Sequence, residues 1–255
     1  MINIILTGCN GHMGRAVATK AEADEEIQIT AGVDINVDFP QSFPIYTNFL
    51  SIKECCDVII DFSNPSALGP MLEYAVGKKI PLVLCATGYD EKQTDSIKKA
   101  SELIPIFKSS NMSLGVNLLS ELVRRAGAFL GSQYDIEIVE KHHRRKVDAP
   151  SGTALLLADA AASALPYEPS YVYNRSDVKR PREQKEIGIS AIRGGTIVGE
   201  HEVIFAGTDE VIELKHSAAS RDVFAVGAIK AAKFIAKNKQ PAMYDMSDIL
   251  KQHKN

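Results

Sequence analysis

Apolar positions along the chain switch between two spacings. Short β-rich runs, Ile2–Leu6, Ile27–Val33, Val58–Phe62, Pro81–Thr87 and Ile104–Lys108, alternate with Met13–Ala23, Pro65–Gly77 and Glu91–Leu103, where the spacing is helical. The first set reads as strands and the second as helices. Pro65 suits a helix start, where its missing N–H costs nothing. Strands that are apolar on both faces need cover on both, which predicts a doubly wound parallel sheet.

The pattern then changes. Gly115–Leu130 is helical, with Val116, Leu119, Leu122, Val123 and Ala126 predicted on one face, and Asp135–Glu140 alternates as a strand. Ser151–Leu165 reads as a helix and Tyr167–Lys185 as a long loop. Three strands follow with only turns between them, Ile187–Arg193, Glu200–Phe205 and Val211–His216. Strands crowded without helices predict a mixed or antiparallel sheet in a second domain. Arg221–Ala236 is a helix whose stripe of Val223, Phe224, Val226, Ile229 and Ala232–Ala236 is expected to return to the first domain. The expected boundaries are 1–113 with 221–255, and 114–220.

Between the first strand and helix lies Thr7-Gly8-Cys9-Asn10-Gly11-His12-Met13-Gly14. Its G-x-x-G-x-x-G spacing allows a tight turn, close backbone approach and a helix N-terminus suited to a pyrophosphate. Asn10 takes the place of the usual second glycine, and Asp34 closes the second strand, twenty residues past Gly14, where a carboxylate can accept ribose hydroxyls. The fold class is therefore α/β: a Rossmann-like doubly wound parallel sheet plus a second α+β domain with a mixed sheet. Ile35 stands where a basic residue would hold a 2′-phosphate, so the cofactor reading leans to NADH, with His12 and Arg15 leaving NADPH open. Cys85-Ala86-Thr87 and Ser109-Ser110-Asn111-Met112 follow the fourth and fifth strands, where a nicotinamide pocket forms in such sheets.

The richest segment is Glu140–Ala154, EKHHRRKVDAPSGTA. On an extended chain His142 and His143 face opposite sides and do not share a metal, while Lys146 falls on the side of His142. Ser151-Gly152-Thr153 begins a helix with free N–H groups. Cations beside a helix N-terminus suit carboxylates, and a His or Lys there can deliver a proton.

Composition narrows the reading further. The chain has 255 residues, 45% hydrophobic, with 29 Lys and Arg against 32 Asp and Glu, for a net charge of −3. That is a globular balance, and it argues against nucleic-acid partners. No apolar run reaches membrane length, and nothing at the N-terminus reads as a signal peptide, so a cytoplasmic protein is expected. Cys9, Cys55, Cys56 and Cys85 have no zinc spacing, and no metal is expected. With a strand order 3-2-1-4-5, the strands before Cys9 and Cys85 are neighbours, and alkylation of either thiol is expected to block cofactor binding.

These residues resemble the 4-hydroxy-tetrahydrodipicolinate (dihydrodipicolinate) reductase family of lysine and diaminopimelate biosynthesis. The resemblance rests on EKHHRRKVDAPSGTA, supported in order by GCNGHMGR, DFSNP, ATGYDE, SSNMSLGVN and GEHEVIFAG. It implies an NADH- or NADPH-dependent reduction of a cyclic dicarboxylate with loss of water, in a homotetramer joined through the second-domain sheets. By motif position it implies His142 as acid/base residue, Lys146 as proton donor, and His143, Gly152 and Thr153 as substrate contacts. Gly8, Cys9, Asn10, Gly11, His12 and Met13 would hold the pyrophosphate, Asp34 the ribose, and Cys85–Thr87 with Ser109–Met112 the nicotinamide side. Another two-domain nicotinamide dehydrogenase has no need of the 142–153 segment, and a redox sensor that reads DNA would carry a basic face absent here.

Overall fold

The structure, a computed structural model, describes residues 1–252. It forms two compact units: residues 1–114 with the chain from Asp222 on, and Gly115–Arg221.

In the first unit, strands β1 (Ile2–Thr7), β2 (Ile27–Val33), β3 (Ile45–Tyr46), β4 (Val58–Asp61), β5 (Leu82–Leu84) and β6 (Pro105–Lys108) alternate with α1 (His12–Glu22), α2 (Leu68–Lys78) and α3 (Glu91–Ser101). In chain order, the second unit's elements come next. They are α4 (Leu114–Leu130), β7 (Asp135–His142), α5 (Gly152–Ala162), β8 (Ser170–Tyr173), β9 (Glu186–Arg193), β10 (Gly199–Ala206) and β11 (Val211–Ala218). The chain re-enters the first unit as α6 (Asp222–Lys237), β12 (Ala242–Tyr244) and α7 (Met246–Gln252).

The first sheet runs β12-β6-β5-β4-β1-β2-β3, with every pairing parallel. Alternate residues of one strand feed two cores. Ile4, Leu6, Val58 and Ile60 meet Val17 of α1 and Ala228, Ala232 and Ile235 of α6, while Ile5, Ile59, Leu82 and Leu84 meet Met71 of α2 and Ile97 of α3. Burial of each such aliphatic side chain contributes about 1.5–3 kcal/mol. Helix α3 starts in a reciprocal cap: the Asp90 carboxylate accepts the Gln93 N–H, and the Gln93 side chain accepts the Asp90 N–H.

Two strands escape the sequence pattern, β3 and β12, because two or three residues show no period. They correct the expected neighbours. The order 3-2-1-4-5 holds once Ile45–Tyr46 counts as the third strand, but then β1 lies beside Val58–Asp61 and the strand before Cys85 lies one place further out. Cys9 is fully buried, with its Sγ against Gly32. Burial, then the charge of Asp34, pushes the Cys9 thiol up to about 11, and burial likewise raises Cys85. Both thiols are thereby disfavoured as thiolates, which slows their alkylation in the folded chain.

The second sheet runs β11-β10-β7-β9-β8 and is mixed: β10 pairs antiparallel with β7 and β11, while β9 pairs parallel with β7 and β8. Ile136, Ile138, Val203, Phe205, Ile187 and Ile189 pack on Leu119 and Val123 of α4 and Leu157 of α5. Two corrections belong here. Leu122 is 43% exposed rather than on the packed face. The stretch 167–185 also contains β8 as an edge strand, whose short length and polar neighbours hid it.

Candidate active site

The glycine loop is shaped by what it lacks. Gly8 has φ +73°, and a Cβ on it would stand 2.6 Å from the Phe62 carbonyl oxygen. A Cβ on Gly14 would stand 2.1 Å from the Gly8 oxygen. Only hydrogen fits at either position, so the turn folds onto itself and onto the tip of β4. Beside it opens a cavity of about 610 Å³, bordered by Gly8, Asn10, Gly11, Asp34, Phe62 and Ser63 among others.

Asp34 accepts the backbone N–H of Asn10 at 2.9 Å through one oxygen and that of Asn36 at 2.9 Å through the other. Each oxygen keeps lone pairs for a ribose hydroxyl. Asn10 is 5% exposed; its amide donates to the carbonyls of Asn36 and Phe39 and accepts from Gln41. Its side chain is thus structural, and only its backbone remains to meet a phosphate. Ile35 is 94% exposed and brings no charge. Arg15 lies over the Phe39 ring at 4.8 Å. A cradle that a Cβ would fill, a helix start and an acid with spare acceptor capacity fit a dinucleotide.

Of the predicted cofactor residues, Gly8, Asn10, Gly11 and Asp34 border the cavity; Cys9, His12, Met13, Cys85–Thr87 and Ser109–Met112 do not. His12 is exposed at the first turn of α1, Met13 is half-buried, and Met112 lies 5% exposed in the core. The tips of β4 and β5 are joined by a group without an assigned role, Asp61. It is 1% exposed, accepts Ser63 N–H at 2.9 Å, Ser63 Oγ at 2.5 Å and the Tyr89 hydroxyl at 3.2 Å, and its pKa is raised by burial.

In the second unit, strand alternation places Ile136, Ile138, Glu140 and His142 on the packed face of β7. Polar residues continue where the apolar ones stop. Glu140 is fully buried, and Arg193 of β9 grips it with both terminal nitrogens, at 2.8 and 2.7 Å. The same carboxylate accepts the Ser151 N–H at 3.0 Å and lies 2.6 Å from His142 Nδ1. Burial pushes its pKa up, but Arg193, His142 and the Ser151 N–H outweigh this and hold it below the usual range. His201 of β10 stands edge-on to His142, ring centres 5.1 Å apart, and its Nε2 meets Ser151 Oγ at 3.1 Å. Burial, and then the neighbouring His142, drive His201 down to about 4, so it is neutral at pH 7.

After β7 the chain turns rather than running on, with Lys146 N–H bonded to the His143 carbonyl at 3.1 Å. Lys146 Nζ pairs with Asp148 at 2.9 Å and is 21% exposed. His143 Nε2 accepts from Arg221 at 3.2 Å, which leaves the hydrogen on Nδ1, a buried atom with no partner in the structure. Partial burial and the charges of Arg221 and Arg145 hold His143 below the usual histidine range. Ser151 caps α5 through the Ala154 N–H, with Gly152 and Thr153 in its first turn. His142, His143, Lys146, Gly152 and Thr153 therefore gather where β7 ends and α5 begins.

Sequence reasoning gave no role to Glu140, Arg193, His201 or Arg221. Glu140 had a signal, an acid two residues before a histidine in a strand and so on the same face. His201 lay in the GEHEVIFAG motif with no role attached to it, and Arg193 had no signal, because strand pairing alone brings both in. Among the described residues no three metal-binding side chains converge.

Known proteins resemble this chain along its whole length. A family model described as "Dihydrodipicolinate reductase, N-terminus" matches residues 2–112, and one described as "Dihydrodipicolinate reductase, C-terminus" matches residues 115–250. A 4-hydroxy-tetrahydrodipicolinate reductase of Caldanaerobacter subterraneus subsp. tengcongensis is 51% identical over 99% of both chains. One from Clostridium tetani is 49% identical over 98% of this chain and 97% of its own. The solved structure of a dipicolinate-bound dihydrodipicolinate reductase from Paenisporosarcina sp. TG-14 shares the fold, with TM-score 0.82 and 22% identity over 98% of this chain and 99% of its own. With both halves matched and half the residues shared with a relative of equal length, the chain belongs to the dihydrodipicolinate reductase family.

Proposed function

We propose that this chain reduces 4-hydroxy-tetrahydrodipicolinate to tetrahydrodipicolinate with loss of water, in lysine and diaminopimelate biosynthesis, and that it prefers NADH to NADPH. The observation that carries the mechanism is the gathering of His142, Lys146 and the α5 N-terminus around one buried carboxylate. The substrate is a small ring with two carboxylates, so it needs cations and N–H donors. Arg221, Lys146, His143 Nδ1–H and the backbone at Gly152 and Thr153 supply them.

A dinucleotide in the first unit would lie against Gly8 to Met13, with Asp34 on its ribose, and Cys85–Thr87 and Ser109–Met112 on its nicotinamide side. When bound, the reduced nicotinamide supplies the hydride. Lys146 donates the proton to the substrate carbon beside the one reduced, and its ion pair with Asp148 at 2.9 Å aims it. His142 acts as acid and base as the hydroxyl leaves. The first unit is then the dinucleotide-binding domain, and the second binds substrate and assembles the homotetramer, a role supported by the exposed apolar Ile192 and Val211 on its sheet. The NADH preference is supported by Asp34 and the uncharged Ile35. Four free cysteines support a reducing, cytoplasmic setting, and no helix among the described residues is long and apolar enough to cross a membrane.

The test follows NADH and NADPH oxidation side by side on substrate generated in situ from pyruvate and aspartate semialdehyde. Turnover should be faster with NADH. His142→Gln and Lys146→Ala should each lower kcat by about 10²–10⁴-fold with dinucleotide binding intact. Tight dinucleotide binding without turnover in the unaltered chain would overturn the reductase reading.

A further inference from the structure

The contacts of Glu140 exceed what a structural ion pair needs. Its carboxylate is fully buried and accepts four hydrogen bonds from three directions: two from Arg193 of β9, one from the Ser151 N–H ahead of α5, and one from His142 Nδ1 on its own strand. Arg193 is itself fixed, donating also to the Asp148 and Ile192 carbonyls at 2.6 and 2.8 Å. We infer that Glu140 is a positioning residue that holds His142 in the tautomer bearing hydrogen on Nδ1 and, through Ser151, fastens that ring to the start of α5. The inference rests on the reading of His142 as the acid/base residue.

The tautomer follows from the donor and acceptor inventory. Arg193 can only donate, so its double grip requires an ionised carboxylate, and an ionised carboxylate only accepts. The hydrogen between Glu140 and His142 therefore sits on Nδ1, leaving Nε2 as the atom that takes or gives a proton. The titratable and charged groups around the ring are Glu140 on β7, Arg193 on β9 at the Glu140 carboxylate, His201 on β10 and the adjacent His143, while His216 of β11 and Lys146 act on His201. His201 is held neutral, so Glu140 is the anion the ring meets. The Ser151 bond makes one side chain set two things together, the ring that moves a proton and the N–H groups offered to a carboxylate.

Glu140→Gln sharpens the test because the amide can satisfy only one side. Each oxygen meets two donors, Oε1 facing Arg193 and the Ser151 N–H and Oε2 facing Arg193 and His142. Of these only the His142 ring can become an acceptor, so the amide oxygen takes the Oε1 position and its NH₂ turns to His142, with one Arg193 bond lost. Nδ1 must then accept, and the hydrogen moves to Nε2. We expect Glu140→Gln to lower kcat by roughly 10²–10⁴-fold, the upper end being the size seen when a protease histidine loses its orienting carboxylate. KM should change less than tenfold and NADH affinity not at all. The kcat–pH profile should change shape, because the variant ring carries hydrogen at the atom that must accept it. Glu140→Asp, which keeps the charge, should recover part of kcat, and Glu140→Gln should cost little in a His142→Gln background.

A measurement on the unaltered chain guards against a variant that fails to fold: nitrogen-15 NMR of the histidines should show His142 with hydrogen on Nδ1. Hydrogen on Nε2 in the unaltered chain, or wild-type kcat and pH profile in Glu140→Gln while His142→Gln is inactive, would overturn the inference and leave the reductase reading standing. Full activity in His142→Gln would overturn the reading beneath it.

Discussion

The two regions of this chain proposed to bear chemistry, one in each unit, are built from opposite materials. Around Gly8 and Gly14 the first unit works by omission: hydrogen where a Cβ would collide, backbone N–H groups, and one carboxylate. Around Glu140 the second unit works by accumulation, with an acid, an arginine, two histidines and a serine sharing one buried network. A site made of backbone binds any ligand of the right outline and charge, and tolerates change at its exposed rim. A site made of buried side chains places a proton accurately, and every member depends on the others. On the proposed assignment of the two sites, binding a large common cofactor and moving a proton on a small ring call for these two solutions in turn.

The contrast can be broken most forcefully at the turn. Gly14→Ala puts a Cβ 2.1 Å from the Gly8 oxygen, and NADH affinity should fall about 10³-fold, equivalent to ~4 kcal/mol. Histidine NMR signals from the second unit should stay in place. If calorimetry finds NADH binding unchanged, the turn is not the cradle.

A smaller effect separates the charged network from the backbone-built turn by pH. His201 is held at about 4 by burial, whereas the unfolded histidine titrates near 6.5. Its folded pKa is depressed, so on acidification the unfolded chain takes up the proton first. Stability is full above about pH 6.5 and falls between there and 4, by roughly 3 kcal/mol in all. The depressed carboxylate of Glu140 extends the loss below 4.5. Denaturant unfolding from pH 8 to 4 should show this slope, and His201→Gln should flatten its upper part. An unaltered slope in that variant would sink the assignment.

The smallest effect is at the rim. Ile35→Arg places a cation where a 2′-phosphate would lie and should move the NADPH-to-NADH affinity ratio about tenfold, or ~1.4 kcal/mol. Because Ile35 is 94% exposed, folding stability should stay within about 0.5 kcal/mol. No change in the ratio would mean the ribose binds elsewhere.

Legibility from sequence follows the same division. The glycine loop, Asp34 and the alternation of β-rich runs with helices are local, and so is the start of α5. Strands β3 and β12 were lost to brevity, and β8 to a polar setting that hid an edge strand. The neighbours of β1 were misplaced as a direct result of missing β3. Arg193 and His201 reach Glu140 and His142 through the register of β9 and β10 against β7, and nothing within twenty residues of either announces it. The pinning of Asn10 and the core position of Met112 were equally out of reach, since both depend on what lies across a packed interface.

That pinning ties two stretches of chain into one inherited cassette. The Asn10 amide, 5% exposed, spends both its donors and its acceptor on residues 36 to 41. A graft of the loop after β2 from a relative of opposite cofactor preference, made without its partner at position 10, would strand a buried amide at a cost of about 1–3 kcal/mol. If the proposed cofactor site holds, retuning the electron donor is a matter of exchanging residue 10 and the 34–41 segment as one unit, or of confining the change to the 94% exposed Ile35.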